Sequence, residues 1–309
     1  MTSIDELRSS IVTTDQLISR GHSSHSVGRA VDDGTLVRLR PGFYVDSHAR
    51  ELGRGQRHLL SAIATDSAMD GAVLTHWSAA MAHGLPDWGL PLRKVSVSRQ
   101  GHATRSRSTR RVRHDLCPLD PDEIVVVDGI SLTSAERAVI DVARTYDPVS
   151  SVAVAEAALN RGLVTEDSLH DALGRAAGRA GIKRARSAIA LSDAASESVA
   201  ETRSRLYFAD FQLPEPETQV DIFDKDGSLI GRVDFLWREF GVIGECDGFG
   251  KYFDGADAAE TRRRLGAEKD RDALLMALGY RLLHWRWADF DRPWVLAQRI
   301  RDVLLAAAA

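Results

Sequence analysis

Two apolar runs separated by a short turn dominate the C-terminal third of the chain. They flank Arg238-Glu-Phe-Gly241 and together span the segment from Arg232 to Gly248. Apolar runs around such a turn predict two adjacent antiparallel strands, a hairpin. Because side chains alternate between the two faces of a strand, Glu245 and Asp247 are expected to point to the same face.

A cluster of carboxylates is expected at one end of this hairpin. Asp234 lies near the end of the first run, and Glu245 and Asp247 lie near the end of the second. Gathered carboxylates repel one another unless a cation neutralises them. Oxygen ligands suit Mg²⁺ or Mn²⁺, and these ions usually act in phosphate chemistry. The hairpin therefore predicts a metal-dependent nuclease.

Length and composition are those of a soluble globular protein. The chain has 309 residues, of which 44% are apolar and 27% charged, and this length suits two or three domains. A net charge of −4 does not by itself indicate a nucleic-acid-binding protein, but the arginines are clustered and local patches matter more than the total. The polar N-terminus, the lack of a long apolar run and two distant cysteines predict a cytoplasmic protein without disulfides or membrane segments.

Residues 1–48 have the pattern of a winged-helix DNA-binding domain. Two helical segments, 12–20 and 24–33, begin with capping residues, and residues 36–45 predict two short strands around a Pro-Gly turn. In such a fold the second helix enters the major groove, and the strand pair, or wing, lies on the DNA backbone. The residues expected to contact DNA are His25, Ser26, Arg29, Arg38 and Arg40.

Residues 55–192 form a predicted α+β middle domain. His76 and His83 lie within a helical stretch there and lack a third metal ligand, so we interpret them as capping or core residues. An arginine-rich stretch at 99–113 is expected either to neutralise DNA phosphates or to form a solvated hairpin, and both interpretations stay open. Its candidate DNA contacts are Arg105, Arg107, Arg110 and Arg111.

The first two regions together resemble the AbiEi-type antitoxins. The wing matches the wording G-x-L-x-R-L-x-x-G-x-Y of that family, and the runs that begin at Ser78 and Asp128 resemble its second part. The residues that carry the match in the wing are Gly34, Leu36, Arg38, Leu39, Gly42 and Tyr44. The resemblance implies an autorepressing DNA-binding regulator, with a cognate toxin or defence-system protein as partner.

Residues 195–309 predict an α/β domain with the element order α-β-β-β-α-β-α around a central mixed sheet. The order and its motifs resemble the restriction-endonuclease-like PD-(D/E)xK superfamily, in the branch similar to very short patch mismatch-repair endonucleases. The motifs are Ser198-Val-Ala-Glu201, Asp234-Phe235, Glu245-Cys-Asp-Gly248 and the segment from Arg271 to Tyr280.

This second resemblance implies a catalytic site with Mg²⁺ or Mn²⁺ as cofactor. Asp234, Glu245 and Asp247 would be catalytic and would hold the metal ion, with Glu201 completing the ligand set. The ion would polarise the scissile phosphate and lower the pKa of the attacking water. The superfamily's lysine, two residues after the second acid, is absent because Asp247 stands there. We expect Lys251 to replace it, with Lys269 as the second candidate.

Of the three functions considered from the sequence, we predict the first, a DNA-binding protein with a metal-dependent endonuclease domain. The retained acids favour a metal-dependent DNA endonuclease directed to its target by the winged helix. The missing lysine favours a catalytically inactive regulator of the antitoxin type that keeps a relic nuclease fold. A protein-interaction module of a defence or toxin–antitoxin system is the third possibility.

Overall fold

The computed structural model describes residues 3–99, 108–115, 118–247 and 258–308. The chain divides into two compact units, Met1–Ala190 and Leu191–Ala309. The described part of the first unit contains a three-stranded and a five-stranded sheet, and that of the second contains a four-stranded sheet. Helices accompany every sheet, and the protein is a mixed α/β protein, as predicted.

The first unit is rich in short helices. Its helices are α1 (Ile4–Ser9), α2 (Thr14–Ser19), α3 (Ser24–Asp32), α4 (Arg54–Ser67), α5 (His76–Ala82), α6 (Ala135–Thr145), α7 (Pro148–Asn160), α8 (Glu166–Arg175) and α9 (Ile182–Ala190). Its strands are β1 (Val12–Thr13), β2 (Leu36–Arg40), β3 (Phe43–Asp46), β4 (Ala72–Leu74), β5 (Val95–Arg99), β6 (Val112–His114), β7 (Ile124–Val127) and β8 (Ile130–Thr133).

The N-terminal segment folds into α2 and α3 followed by the strand pair β2 and β3. Leu17, Val27 and Tyr44 form its small core, which holds both helices against β3. The prediction was correct for α3 and the strand pair, but α2 begins only at Thr14 because β1 pairs with β3. Helix α1 was missed, although Ser3 caps it through a reciprocal hydrogen-bond pair with a glutamate.

The five-stranded sheet of the first unit is mixed and has the order β6-β5-β4-β8-β7. Strand β4 lies at its centre and pairs antiparallel with β5 and parallel with β8. Its three residues are buried, but an apolar run of this length is too short to be recognised as a strand in the sequence. The prediction therefore omitted this strand. Helices α6 and α7 carry long buried faces and pack against each other beside this sheet.

The second unit has the predicted element order. Strand β11 pairs parallel with β12 and antiparallel with β10, which makes the sheet mixed, with the order β12-β11-β10-β9. The elements are α10 (Val199–Asp210), β9 (Glu217–Phe223), β10 (Leu229–Trp237), β11 (Val242–Asp247), α11 (Ala258–Ala277), β12 (Arg281–Arg286) and α12 (Pro293–Ala308).

Helices cover both faces of this sheet. On one face, Phe208 of α10 and Ile300 of α12 share a core with Trp237 and Trp285. On the other face, Leu275 of α11 packs against β10 and β11. A Cβ atom on Gly244 would lie 2.8 Å from the rings of both Trp237 and Trp285, so the close packing of these rings requires glycine at that position. The tight core fixes the strand ends that carry the candidate site.

Candidate functional site

Strands β10 and β11 separate where the sequence predicts the cluster of carboxylates. The pairing of the two strands ends at Phe235 and Gly244. Beyond this pair the backbone N–H of Cys246 donates to Oδ2 of Asp234 at 3.0 Å. The Asp234 carboxylate is therefore fixed between the two strands at the point where the sheet opens.

Three of the predicted site residues meet at this opening. Asp234, Glu245 and Asp247 line one cavity of about 500 Å³. The hairpin thus brings the three carboxylates together as the sequence indicates. The cavity suits an ionic ligand, because most of the other residues around it are also polar or charged: Glu197, Gln219, Arg232, Cys246, Ala267, Glu268 and Arg271.

Glu201, the fourth predicted metal ligand, lies close by but is already engaged. Its carboxylate accepts hydrogen bonds from the N–H of Glu197 at 2.9 Å, the hydroxyl of Ser198 at 2.8 Å and the amide of Gln219 at 2.7 Å. Burial raises the pKa of Glu201, and the neighbouring Asp234 raises it further, against these hydrogen bonds. Glu201 therefore joins the start of α10 to β9, where Gln219 adopts a left-handed φ of 51°.

Arg271 of α11, which the sequence analysis placed in a family motif, has a contact in the site that was not predicted. Its Nη2 donates to Oε2 of Glu245 at 2.5 Å. Burial nevertheless raises the pKa of Glu245, and it outweighs the lowering effect of Arg271. The other oxygen, Oε1, is buried and accepts no hydrogen bond from any described residue. One arginine thus only partly compensates the carboxylates around it.

His284 of β12 is a site residue that was missed. It lies beside Glu245 in the parallel ladder of β11 and β12. In the described ranges, two groups of side chains place potential metal-ligand atoms within 4.8 Å of one another, and both contain His284. One group adds Glu245 and Asp272, and the other adds Asp247 and Glu268. Neither includes Asp234 or Glu201, so the four predicted oxygen ligands do not converge as one set among the described residues.

Several predicted residues lie outside the described ranges. Lys251, the expected replacement for the missing lysine, is one, and Arg105 and Arg107 of the arginine-rich stretch are two others. Lys269, the second candidate, is exposed on α11. The source of a catalytic cation therefore stays a prediction.

Helix α3 presents two of the three residues predicted for it. His25 and Arg29 are exposed, whereas Ser26 is half-buried. The hydroxyl of Ser26 donates to the Ser23 carbonyl at 2.9 Å and accepts from the Ser23 N–H at 2.9 Å. Ser26 is therefore not free to face DNA as expected, because its side chain completes the capping box in which Ser23 is the N-cap.

The wing arginines also differ from one another. Arg38 is exposed, with its guanidinium 6.0 Å from the Tyr44 ring centre. Arg40 is half-buried and donates to the Thr65 carbonyl at 3.3 Å, so it fixes the wing to α4 instead of facing solvent as expected. Arg111 donates to backbone carbonyls of β2 and is likewise engaged with the wing. Arg110 is exposed.

A second basic surface was not predicted. Arg54, Arg57 and Arg93 line a concavity of about 480 Å³ at the beginning of α4. Arg54 donates to the Leu90 carbonyl at 2.9 Å, and none of the three forms an ion pair with a described residue. Arg54 and Arg57 are about one helical turn apart, but Arg93 is distant in the sequence and only the fold brings it to the helix.

The histidines of the middle region are core residues, as interpreted from the sequence. His76 is 5% exposed, its Nδ1 lies 3.3 Å from Asp115, and burial lowers its pKa. His83 is hydrogen-bonded to the Thr133 carbonyl at 2.8 Å. His58 also lies in this core, with its ring nitrogens 2.9 Å from the Ser78 hydroxyl and 2.9 Å from the Leu92 carbonyl.

Two family models match the first unit. Residues 2–45 match a model described as transcriptional regulator, AbiEi antitoxin, and residues 72–191 match the AbiEi antitoxin C-terminal domain. The resemblance of these two regions to AbiEi-type antitoxins is therefore confirmed. Residues 192–309 lie outside both matches.

Two uncharacterized proteins of Mycobacterium tuberculosis, from two strains, are similar to this chain. Each is 31% identical to it over 175 residues, which is 56% of this chain and 62% of the relative. The chain thus spans less than two thirds of the length of these relatives. Across the described ranges, no helix combines the length and the apolar character needed to cross a membrane.

Proposed function

We propose that the protein is a DNA-binding transcriptional regulator of the AbiEi antitoxin type. The two family matches support this proposal. The order of α2, α3 and the β2–β3 pair is that of a winged helix, with α3 as the helix that enters the major groove. The exposure of His25 and Arg29 on α3 and of Arg38 on the wing is the observation that carries the proposal.

The chemistry of these side chains suits DNA. Arginine binds phosphate and the edge of guanine through its planar fork of N–H groups, and histidine adds a further donor. Phosphate contacts supply most of the affinity and make it depend on salt, whereas contacts to base edges provide specificity. We assign Arg29 and His25 to the groove and Arg38 to the backbone.

DNA binding by variants tests this assignment. Fluorescence anisotropy with a duplex from the region upstream of the gene is measured over a salt series for wild type, Arg29→Ala and Arg38→Ala. Each phosphate contact removed should reduce the slope of log affinity against log salt by about 0.9. Arg186→Ala removes an exposed arginine of α9 and serves as the control. Equal slopes for all four proteins would contradict the proposed DNA surface.

A cognate toxin is the protein partner that we propose, because both family matches are to antitoxins. The test is co-expression with the product of the adjacent gene. Growth arrest by that product alone, relieved by this protein, is the expected result. No toxicity, or no relief, would count against an antitoxin role while leaving DNA binding intact.

The second candidate is a metal-dependent endonuclease with a restriction-endonuclease-like fold in the second unit. It is favoured by the cavity that Asp234, Glu245 and Asp247 share where β10 and β11 separate. Glu245 and Asp247 would hold Mg²⁺ or Mn²⁺ there, and the ion would activate water for attack on a phosphodiester. The ion pair of Arg271 with Glu245 and the missing lysine instead favour an inactive relic.

Cleavage of supercoiled plasmid and mismatched duplex separates these two cases. Wild type and an Asp234→Ala/Glu245→Ala double variant are incubated with Mg²⁺ or Mn²⁺. Nicking that requires metal and disappears in the double variant would establish the nuclease. Salt-dependent DNA binding by both proteins without cleavage is the result expected for a regulator with a relic nuclease fold.

A further inference from the structure

We propose that Glu245, Asp272 and His284 form a binding site for a divalent transition-metal ion in the second unit. This site differs from the oxygen-ligand set inferred from the sequence, because it contains an imidazole and excludes Asp234 and Glu201. It does not rest on DNA binding or on cleavage, and it holds for a regulator as well as for a nuclease.

The backbone brings these three side chains to one face of the sheet. The parallel pairing of β11 with β12 sets Glu245 beside His284. Helix α11 covers this face and adds Asp272, whose Oδ2 lies 3.4 Å from Nε2 of His284. On the other side of the ring, Nδ1 lies 3.9 Å from Oε2 of Glu245. The donors therefore come from three separate elements and not from one flexible loop.

Two carboxylate oxygens of this cluster are suited to accept a cation. Oε1 of Glu245 and Oδ1 of Asp272 are buried, and neither accepts a hydrogen bond from a described residue. Glu245 is only 9% exposed, so water reaches its carboxylate poorly. Arg271 contributes one positive charge, with Nη2 at 2.5 Å from Glu245 and 3.7 Å from Asp272. A buried Glu245 beside a half-buried Asp272, each with an oxygen that accepts no hydrogen bond from a described residue, is costly unless a further positive charge binds.

The kinds of ligand atom decide the class of metal ion. Mg²⁺, Ca²⁺ and Mn²⁺ prefer oxygen ligands, whereas imidazole suits Zn²⁺ and the later first-row transition metals. One ring nitrogen of His284 would bind the ion, and the other has a carboxylate neighbour. Such a neighbour fixes the ring orientation and the tautomer in many metal sites. We therefore expect Zn²⁺ to bind more tightly than Mn²⁺, and Mg²⁺ to bind most weakly.

A second group of donors extends the site outward. Asp247 lies two residues after Glu245 on β11, and Glu268 lies one helical turn before Asp272 on α11. These two carboxylates and His284 also have ligand atoms within 4.8 Å of one another. Because Asp247 and Glu268 line the cavity, they provide a path of carboxylates by which a cation can reach the inner group.

Metal titration of the full chain tests the proposal. Free Mn²⁺ is measured by electron paramagnetic resonance at rising protein concentration, with Zn²⁺ and Mg²⁺ as competitors. We expect one Mn²⁺ per chain, displaced by Zn²⁺ and poorly displaced by Mg²⁺. His284→Ala should weaken Mn²⁺ binding by more than about tenfold. His170→Ala, which changes an exposed histidine of α8, should leave it unchanged, and Asp234→Asn, which removes a neighbouring negative charge, should weaken it less than His284→Ala does.

Further variants keep the test decisive. If circular dichroism shows that His284→Ala does not fold, Asp272→Asn takes its place as the test variant. This substitution retains the shape of the side chain and should weaken the binding of Mn²⁺ to a similar extent. Equal binding of Mg²⁺ and Mn²⁺, with loss in Asp234→Asn and none in His284→Ala, would overturn the proposal in favour of an oxygen-only site. No Mn²⁺ or Zn²⁺ binding to folded wild type would also overturn it.

Discussion

The two units contain buried clusters of charge that are built in different ways. In the first unit, Arg137 of α6 donates to Glu123 at 2.6 Å and to Asp141 at 2.8 Å, and Arg144 donates to the other oxygen of Asp141 at 2.7 Å. In the second unit, Arg271 is the one described arginine that bonds to Glu245, and buried carboxylate oxygens remain without donors.

The difference indicates two roles. Cations and anions alternate in the first cluster, which holds α6 to the rest of its unit and needs no further ligand. The second cluster has an excess of negative charge beside a cavity open to ions. Buried charges persist in proteins when they are paired or when they bind a metal ion. We therefore interpret the first cluster as structural and the second as a binding site.

Removal of Arg137 or of Arg271 should reveal the difference between the two clusters most clearly. Arg137→Ala leaves Glu123 and Asp141 buried without their partner, and we expect a loss of about 3–5 kcal/mol in the free energy of unfolding. Arg271→Ala should cost less, about 1–2 kcal/mol, and added Mn²⁺ should restore part of it. Urea denaturation with and without Mn²⁺ measures both. If both variants lost the same free energy of unfolding and Mn²⁺ restored none of it, the two clusters would be alike.

The dependence of stability on pH should also distinguish the two units, because these groups stabilise the first unit at higher pH and the second unit at lower pH. Burial lowers the pKa of His58 to about 4 from 6.5. The neutral ring is therefore favoured in the folded first unit, and acidification from 6.5 towards 4 protonates the unfolded chain first. Protonation of this residue alone should lower the free energy of unfolding of the first unit by about 3 kcal/mol over that interval. The lost stability returns as the pH rises.

Two glutamates give the stability of the second unit the opposite dependence on pH. Burial raises the pKa values of Glu201 and Glu245 above 4.5, so the folded state binds protons more tightly than the unfolded state. Their protonated forms stabilise the fold at low pH, and this stability is lost as the pH rises through the raised pKa values. Hydrogen exchange read by mass spectrometry follows each unit separately. His58→Gln and Glu245→Gln should each reduce the pH dependence of their own unit; slopes unchanged in these variants would refute the assignment.

A further effect concerns the packing beneath the second cluster. Gly244→Ala places a Cβ atom 2.8 Å from two tryptophan rings, and overpacking of this kind costs about 1–3 kcal/mol. Because Gly244 precedes Glu245, the same change should weaken Mn²⁺ binding. Gly266→Ala, where nothing lies within 4 Å of the added atom, is the matched control in α11 and should not destabilise. Thermal unfolding measures both, and an unaltered midpoint for Gly244→Ala would contradict the packing argument.

Local patterns explain what could be predicted from the sequence. The hairpin of β10 and β11, the caps of α3 and the Pro-Gly turn of the wing depend on neighbouring residues, and the structure has each of them. The three carboxylates of the hairpin were found for the same reason. Alternation along two strands joined by a short turn is sufficient to bring them together.

Long-range packing explains what was missed. His284 reaches Glu245 through the parallel pairing of β11 with β12, and Arg271 reaches it because α11 crosses that face of the sheet. No local spacing encodes either contact. Arg40 was assigned to DNA because it flanks the wing, but its direction is set by α4, to which it is hydrogen-bonded. A chain position alone does not distinguish a surface arginine from one that fixes two elements together.

Specific recognition of its own upstream DNA is the most direct test of the central claim, that the first unit directs this protein to DNA as a regulator. The measurement compares the affinity for that duplex with the affinity for a scrambled duplex of the same composition, at 150 mM salt and in the presence of EDTA. The account predicts a preference of about a thousandfold or more for the upstream duplex. Equal affinity for the two duplexes, or no binding to either, would contradict it.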